Sequence, residues 1–431
     1  MLHTVILKNN YQDSINLMLL TNRINDLETV TMSQIMMGTN ANKDILNNTN
    51  LLTEEANAAS PNDLMIVVES DQAAIMDQVL PEVEQFLSDL SSKGSEEQAQ
   101  VATTWQEALD AMPDANMALF SIPGEYGAAE METALKKGLH VFSFTDNIPV
   151  EEEVRLKQLA HERGLLMMGP DCGTGILSSI PIVFTNVVAP GNIGVVGASG
   201  TGIQEVTTII DRLGNGVVHA IGTGGRDLSD KVGAVTVKDA IVALENHEPT
   251  DVICVISKPP AKEVRDEVVQ LLQSITKPVV AIFLGEKPEA HEGKVYLAHT
   301  LEETAKIAVD LANNASVKAN YFEAVTPPER RVPEGKVIKG LYSGGTLAAE
   351  AGMLISEALG LEGLVKEEGY ILKSQGYDII DLGDDIYTQG KPHPMIDPEV
   401  RVKKIKEYAQ DASTGILLVA VSYTHLTLPT N

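Results

Sequence analysis

Short runs of β-branched and other apolar residues recur along the chain and alternate with stretches whose apolar positions repeat every three or four residues. The runs are Thr4 to Leu7, Leu64 to Val68, Met117 to Ser121, Val141 to Phe144, Ile193 to Val196, Val217 to Ile221, Val252 to Ile256 and Val279 to Leu284. Each is short enough to be a buried strand, and the order predicts an α/β protein of parallel sheets with crossover helices. Helices are predicted over Ala128 to Lys137 and Glu151 to Arg163, closed by Gly138 and Gly164. Pro81 to Met112 reads as two helices around the polar segment Ser91 to Gln98, an insertion in an otherwise regular pattern.

Two punctuated regions mark domain limits, Val187 to Asn192 and the Pro-rich linker Asn314 to Lys336. A third α/β unit starts at Val337 to Leu341 and runs through a helical pattern to Leu359. The strand-like run Ile416 to Val421 breaks into Ser422 to Asn431, a tail with no helix to cover the strand. It reads as foreign and is set aside with His425, so the third domain is expected to be truncated and the native chain to continue.

At 431 residues, with 44% hydrophobic and 21% charged, the chain is long enough for several cores. A formal charge of −28 disfavours nucleic acid as a partner. No apolar window approaches the roughly 20 residues needed to span a bilayer, and the N-terminus does not read as a secretory signal. Two cysteines, Cys172 and Cys254, imply no disulfide framework, and a cytoplasmic location is expected. Cys254 falls in an apolar run, whereas Cys172 follows Gly-Pro-Asp and is either a spare turn cysteine or a reactive thiol.

Glycine-rich turns supply the candidate chemistry. Ile193 to Gln204 places a strand before Gly197, Ser199, Gly200, Thr201 and Gly202 and then opens an amphipathic helix. Unpaired amides and a partial positive charge at a helix start suit a phosphate; the competing reading is a tight turn with Ser199 or Thr201 as N-cap. No Gly-Lys-Ser/Thr follows, so this is not a Walker loop. A second turn, Gly222 to Ser229, carries Gly224 and Arg226, the latter either an anion partner or a surface residue beside Asp227. The third, Tyr342-Ser-Gly-Gly-Thr346, repeats the order with Gly344 and Thr346. Asp381 to Asp397 is a polar loop holding Asp384, Asp385, Lys391 and His393, read as a metal site or as a rigid interface loop. No metal-ligand spacing stands out there, and His291 and His299, flanking Val295 to Leu297, read as ordinary residues.

The order Phe144-Thr-Asp-Asn-Ile-Pro149, Met168-Gly-Pro-Asp-Cys-Gly173, the Gly197 turn and Gly222-Thr-Gly-Gly resembles the α-subunit of succinyl-CoA synthetases over residues 1 to about 313. Gly124-Glu-Tyr, Ser257-Lys-Pro-Pro, Leu341-Tyr-Ser-Gly-Gly-Thr-Leu-Ala-Ala-Glu and Asp381-Leu-Gly-Asp-Asp extend the likeness to the FdrA family, acyl-CoA synthetase-like proteins, over everything before the tail. The resemblance implies a Rossmann-like CoA-binding domain over 1–190 with the helical insertion at 81–112, a flavodoxin-like ligase domain over 191–313, a linker over 314–336, and a ligase-like third domain over 337–421. It implies CoA contacts at Lys43, Phe144, Thr145 and Asp146, and a phosphate site at Ser199, Gly200 and Thr201. The family's first CoA turn, Gly-x-x-Gly-x-x-Gly, is replaced by Asn9-Asn-Tyr-Gln-Asp-Ser14. Its Gly-His-Ala-Gly phosphohistidine loop is absent, and His291 does not match it. The steadying glutamate is displaced by Ser257-Lys258-Pro. No nucleotide-binding ATP-grasp domain is visible, so the resemblance implies a hetero-oligomer whose partner subunit handles nucleotide. It implies an acyl-CoA synthetase-like ligase subunit binding CoA and an acyl phosphate or phosphate. The alternatives are a carbamoyltransferase subunit acting with partner proteins in ureide or allantoin breakdown, and a non-catalytic ligand-binding scaffold.

Overall fold

The computed structural model describes all residues except 13, 28, 50, 94–101, 289, 319, 320, 322–334, 362–366, 368, 389–397 and 421–431. The chain forms two compact units, one built on Met1–Met112 and one on Pro113–Tyr387 and the chain beyond Pro398. Most of the 314–336 linker and all of the tail from 422 lie outside the described residues, as does the second half of the 381–397 loop with Lys391 and His393. No helix among the described residues is long and apolar enough to cross a membrane.

The first unit contains β1 (Leu2–Leu7), α1 (Ser14–Asn25), β2 (Met32–Met37), α2 (Asn40–Asn48), α3 (Glu54–Asn57), β3 (Leu64–Glu69), α4 (Met76–Lys93) and α5 (Trp105–Ala111). Its sheet has the order β1-β3-β2, with both pairings antiparallel. One face packs Ile66 and Val68 against Leu20 and Ile24 of α1 and Val79 and Val83 of α4. The other packs Met65 and Val67 against Leu46, Leu51 and Ala56. Two points of the expectation are corrected here. A run buried on both faces reads the same in parallel and antiparallel sheets, and β3 inserts antiparallel between β1 and β2. Residues 1–112 therefore close a core of their own, and the single Rossmann-like domain over 1–190 does not form.

The second unit begins with β4 (Met117–Phe120), α6 (Gly124–Lys136), β5 (His140–Ser143), α7 (Val150–Glu162) and β6 (Met167–Met168), whose strands form a small parallel sheet. Next come the hairpin β7 (Thr174–Leu177) and β8 (Ile180–Val183), then β9 (Ile193–Gly197), α8 (Gly200–Arg212), β10 (Val217–Gly222), α9 (Val235–Asn246), β11 (Val252–Ser257), α10 (Lys262–Ser274), β12 (Val279–Phe283), β13 (Val295–Ala298) and α11 (Leu301–Ala312). These strands join in the order β13-β12-β11-β9-β10-β7-β8, with the first five parallel. The chain leaves β9 for β10 on one side and crosses back to β11 on the other, so the C-terminal end of β9 is the switch point at which α/β sheets open a crevice. Helix α8 buries Ile203, Val206 and Ile210 against Val195 and Ala220, and α9 buries Val237 and Ile241 against the opposite face.

The unit closes with β14 (Val337–Tyr342), α12 (Gly345–Leu359), β15 (Tyr370–Ser374), β16 (Tyr377–Asp381), the single turn α13 (Asp385–Thr388), α14 (Glu399–Gln410) and β17 (Thr414–Ala420). The sheet order is β15-β16-β14-β17, parallel at β14 with both neighbours. This is the third α/β unit expected from Val337 onward.

Candidate functional site

A cleft of about 500 Å³ in the second unit is lined by three glycine turns together with Phe144–Asp146, Asp171–Thr174, Lys258, Asp381 and Gly383. The turns come from different strands. The first follows β9, the second follows β10, and the third follows β14, so the cleft lies where the C-terminal ends of two parallel sheets meet.

Two helix starts interlock at its floor. Ser199 is the N-cap of α8, and its Oγ accepts the Gly202 amide at 3.0 Å. The same hydroxyl bonds the Thr346 hydroxyl of α12. A Cβ on Gly344 would stand 2.6 Å from Thr201 Cγ2, and one on Gly202 would stand 3.2 Å from Thr346 Cγ2, so glycine is what lets the two turns close to this distance. Helix α12 has Gly344 as N-cap and no side-chain cap. The first amides of α8 and α12 have no intrahelical acceptors, and both helices bring their positive ends to the same space.

Lys258, at the end of β11, is the cation of this space. A Cβ on Gly225 would lie 3.5 Å from its Nζ, as would one on Gly345. No ion pair holds Lys258 among the described residues. Asp381, the last residue of β16, is pushed up from the ordinary carboxylate range by burial, against the Gly383 amide and Lys258, which act to lower it. Among the described residues no histidine lines the cleft.

The Gly222–Gly225 turn is braced from behind. Gly224 has φ +85°, and a Cβ there would stand 2.5 Å from the Pro170 carbonyl oxygen, so both backbone conformation and space demand glycine. Lys157, buried on α7, donates to the Thr223 carbonyl at 2.8 Å and to Asp227 Oδ1 at 2.5 Å, and pairs with Glu153 at 3.0 Å. Asp227 Oδ2 accepts the Val237 amide of α9.

The sequence candidates separate accordingly. Gly200, Thr201, Gly224, Gly344 and Thr346 line the cleft; Ser199 lines it too, but its hydroxyl is committed as a cap and to Thr346. Gly202 is a packing residue behind the turn rather than a lining one. Arg226 is not among the lining residues; its Nη2 donates to the Ile148 carbonyl at 2.9 Å and pairs with buried Glu153 at 2.8 Å. Phe144, Thr145 and Asp146 form one wall, with Phe144 tilted against Phe184 at a centroid distance of 5.3 Å. Lys43 belongs to the first unit, where its Nζ donates to the Ala59 carbonyl at 2.6 Å; the cleft is lined wholly by the second unit. Of the polar loop, Asp381 and Gly383 line the cleft, and Asp384 accepts the Ile386 amide. Among the described residues no group of three metal-binding side chains occurs. His299 bonds the Glu286 carbonyl and Glu357, and His291 accepts the Leu297 amide.

Lys258 entered the sequence reading only within Ser257-Lys-Pro-Pro and as part of the segment that displaces the family's glutamate, with no site role assigned to it. The strand order gives it one, as the residue that follows the strand beside β9 on the far side of the switch point.

Cys172 lines the cleft, but burial pushes its thiol up to about 12 and its Sγ faces the Thr174 carbonyl. It is expected to resist iodoacetamide at neutral pH until the fold opens, because the thiolate is the reactive form. Mass spectrometry after native labelling checks this, and rapid alkylation in the native state would contradict it.

Three family models match. Residues 1–103 match "AllF, heavy metal-associated domain", 188–285 match "CoA binding domain", and 341–423 match "CoA-ligase". An uncharacterized protein of Escherichia coli K12, YahF, is 41% identical over 428 residues, covering 96% of this chain and 82% of its own. Subunit alpha 2 of the ADP-forming succinate–CoA ligase of Archaeoglobus fulgidus is 25% identical over 177 residues, 40% of this chain and 60% of that one. The corresponding alpha subunit of Aquifex aeolicus is 27% identical over 237 residues, 52% and 74% of the two chains. The CoA-binding match falls on the seven-stranded sheet and meets only the last residues of the 1–190 span where the sequence had placed that domain.

The first of these descriptions implies a soft metal in the N-terminal unit, and the residues there do not fit one. Both cysteines lie outside residues 1–103, and His3 is the sole histidine within them. The loop after β1 is instead tied down by carboxylate–amide bonds, Asn9 and Ser60 both donating to Asp63.

Proposed function

Because the chain belongs to the FdrA family, acyl-CoA synthetase-like members of the succinyl-CoA synthetase α-subunit superfamily, we propose that its cleft takes an acyl phosphate, or phosphate itself, and presents it to CoA. The observation that carries this reading is the convergence of the α8 and α12 starts on Lys258. Free amides, two helix dipoles and an ammonium in a partly dehydrated crevice favour a tetrahedral anion over any neutral ligand. Gln204 Oε1 and Ser343 Oγ, buried in the lining without partners, leave further polar capacity for a bound group. During acyl transfer the same amides stabilise charge as it gathers on the departing phosphate. Phe144, Thr145 and Asp146 are assigned to the CoA side, and any nucleotide-driven step to a partner subunit in a hetero-oligomer.

A second reading, transfer from preformed carbamoyl phosphate in concert with partner proteins, draws support from the lining itself. With a lysine and, among the described residues, no histidine in its lining, the cleft suits non-covalent use of a mixed anhydride better than a phosphohistidine relay. Calorimetry of the full chain with CoA, acetyl phosphate and carbamoyl phosphate, each alone, separates the two. Heat from CoA and acetyl phosphate supports the acyl-CoA reading; heat from carbamoyl phosphate alone sinks it in favour of the transferase.

Gly200→Asp tests the anion site directly. A Cβ at this position would meet Thr174, its Oγ1 at 3.0 Å and its Cβ at 3.7 Å, so a side chain fits with a small shift and places a carboxylate at the α8 start. Phosphate affinity is expected to fall by about tenfold or more, since a negative charge is added where the helix end attracts the anion. Unchanged affinity in the titration would contradict the assignment.

A further inference from the structure

Asp381 ends β16 beside the start of α12. A Cβ on Gly345 would stand 2.8 Å from Asp381 Oδ2 and 3.5 Å from Lys258 Nζ, so the two side chains reach the same helix start from opposite strands without closing into an ion pair. Oδ1 accepts the Gly383 amide at 2.9 Å, which leaves Oδ2 as the oxygen turned to the α12 amides. A tetrahedral dianion bound on those amides must therefore touch a carboxyl group. A carboxylate there would repel it, whereas a carboxylic acid would donate a hydrogen bond to it.

We propose that Asp381 is the proton-holding catalytic residue of the cleft: it takes up a proton at Oδ2 as a tetrahedral dianion binds, and donates that proton to an oxygen of the anion. The proposal rests on the phosphate reading above and adds to it which residue handles the proton. In acyl transfer the lone pair of an acceptor N–H or S–H attacks the acyl carbon, and the bond from that carbon to the phosphate oxygen breaks. The departing oxygen takes the Asp381 proton, and the acceptor's proton returns to Asp381. Acyl phosphate and acceptor thus become acylated acceptor and phosphate with atoms and charge balanced. The groups that set the proton affinity of Asp381 are Lys258 from the end of β11, the Gly383 amide and Asp384 from its own loop, and the α12 start. Burial already raises this carboxyl before any anion arrives. Asp146 and Asp171 are the other carboxylates of the lining.

The test uses sulfate, a dianion that does not itself titrate, added to the full chain near about pH 6 in two buffers of different ionisation enthalpy. Wild type is expected to take up part of a proton per sulfate bound, and its affinity to fall by up to about tenfold per pH unit as pH rises. Asp381→Asn is expected to bind sulfate with no proton uptake and little pH dependence. Sulfate binding in wild type without buffer dependence overturns this proposal and leaves the anion site standing. Uptake that persists in Asp381→Asn also overturns it, moving the proton to Asp146 or Asp171. No sulfate or phosphate heat at all overturns the anion site and this proposal together. Should Asp381→Asn fail to fold, Asp146→Asn and Asp171→Asn replace it: uptake that persists in both supports Asp381, and uptake lost in either overturns the proposal.

Discussion

Lys157→Met is expected to destabilise the second unit by about 3–5 kcal/mol, the usual consequence of removing one partner from a buried ion cluster. Lys157 and Asp227 are fully buried and Glu153 nearly so, and the lysine Nζ lies within 3.0 Å of an oxygen on each. Methionine matches the stem but leaves Asp227 with one backbone amide and Glu153 with Arg226 as the remaining cation. The damage should extend to function, because the same Nζ holds the Thr223 carbonyl and with it the Gly222–Gly225 turn. Urea denaturation followed by circular dichroism measures the first effect and phosphate titration the second. A loss below about 1 kcal/mol would mean that the cluster is not the brace described here.

Lys258→Met is expected to do the opposite, leaving stability nearly unchanged and removing affinity. No ion pair among the described residues depends on Lys258, and buried Asp381, which it acts to hold ionised, can take up a proton in its absence. A hydrogen bond to a charged group contributes about 1.5–3 kcal/mol, which corresponds to roughly 10- to 150-fold weaker binding of phosphate or acetyl phosphate. Lys262→Met is the control. Its ammonium is 82% exposed and pairs only with the neighbouring helical Asp266, so affinity should not move. Equal affinities for wild type and Lys258→Met would remove the cation from the site.

The alternation of apolar runs with helical periods placed most of the parallel strands of the second unit, but not the short β6, the hairpin β7 and β8, or β15 and β16, because a buried parallel strand and its crossover helix each leave a local signature. Ile193–Gly197 and Val337–Tyr342 were legible together with the glycine turns that follow them. What could not be read was pairing. Leu64–Val68 is apolar throughout, and nothing local says that it runs antiparallel between two neighbours, so the N-terminal unit was merged with residues that belong elsewhere. The candidate site failed in a related way. Ser199, Thr201 and Arg226 look alike as donors in a glycine-rich loop, but Ser199 is spent on a cap and Arg226 on Glu153, commitments set by contacts 147 and 73 residues away in sequence. Lys258 stood within the Ser257-Lys-Pro-Pro motif without a role, and only the fold brings it to Gly345.

The central claim is that the starts of α8 and α12 together hold a tetrahedral anion. A crystal structure of the full chain grown with phosphate, and again with tungstate for its strong scattering, tests it most directly. The account predicts one anion within hydrogen-bonding distance of the amides of Gly200 or Thr201 and of Gly345 or Thr346, with Lys258 Nζ turned onto it. Anion density elsewhere on the protein, with none at these helix starts, would contradict it.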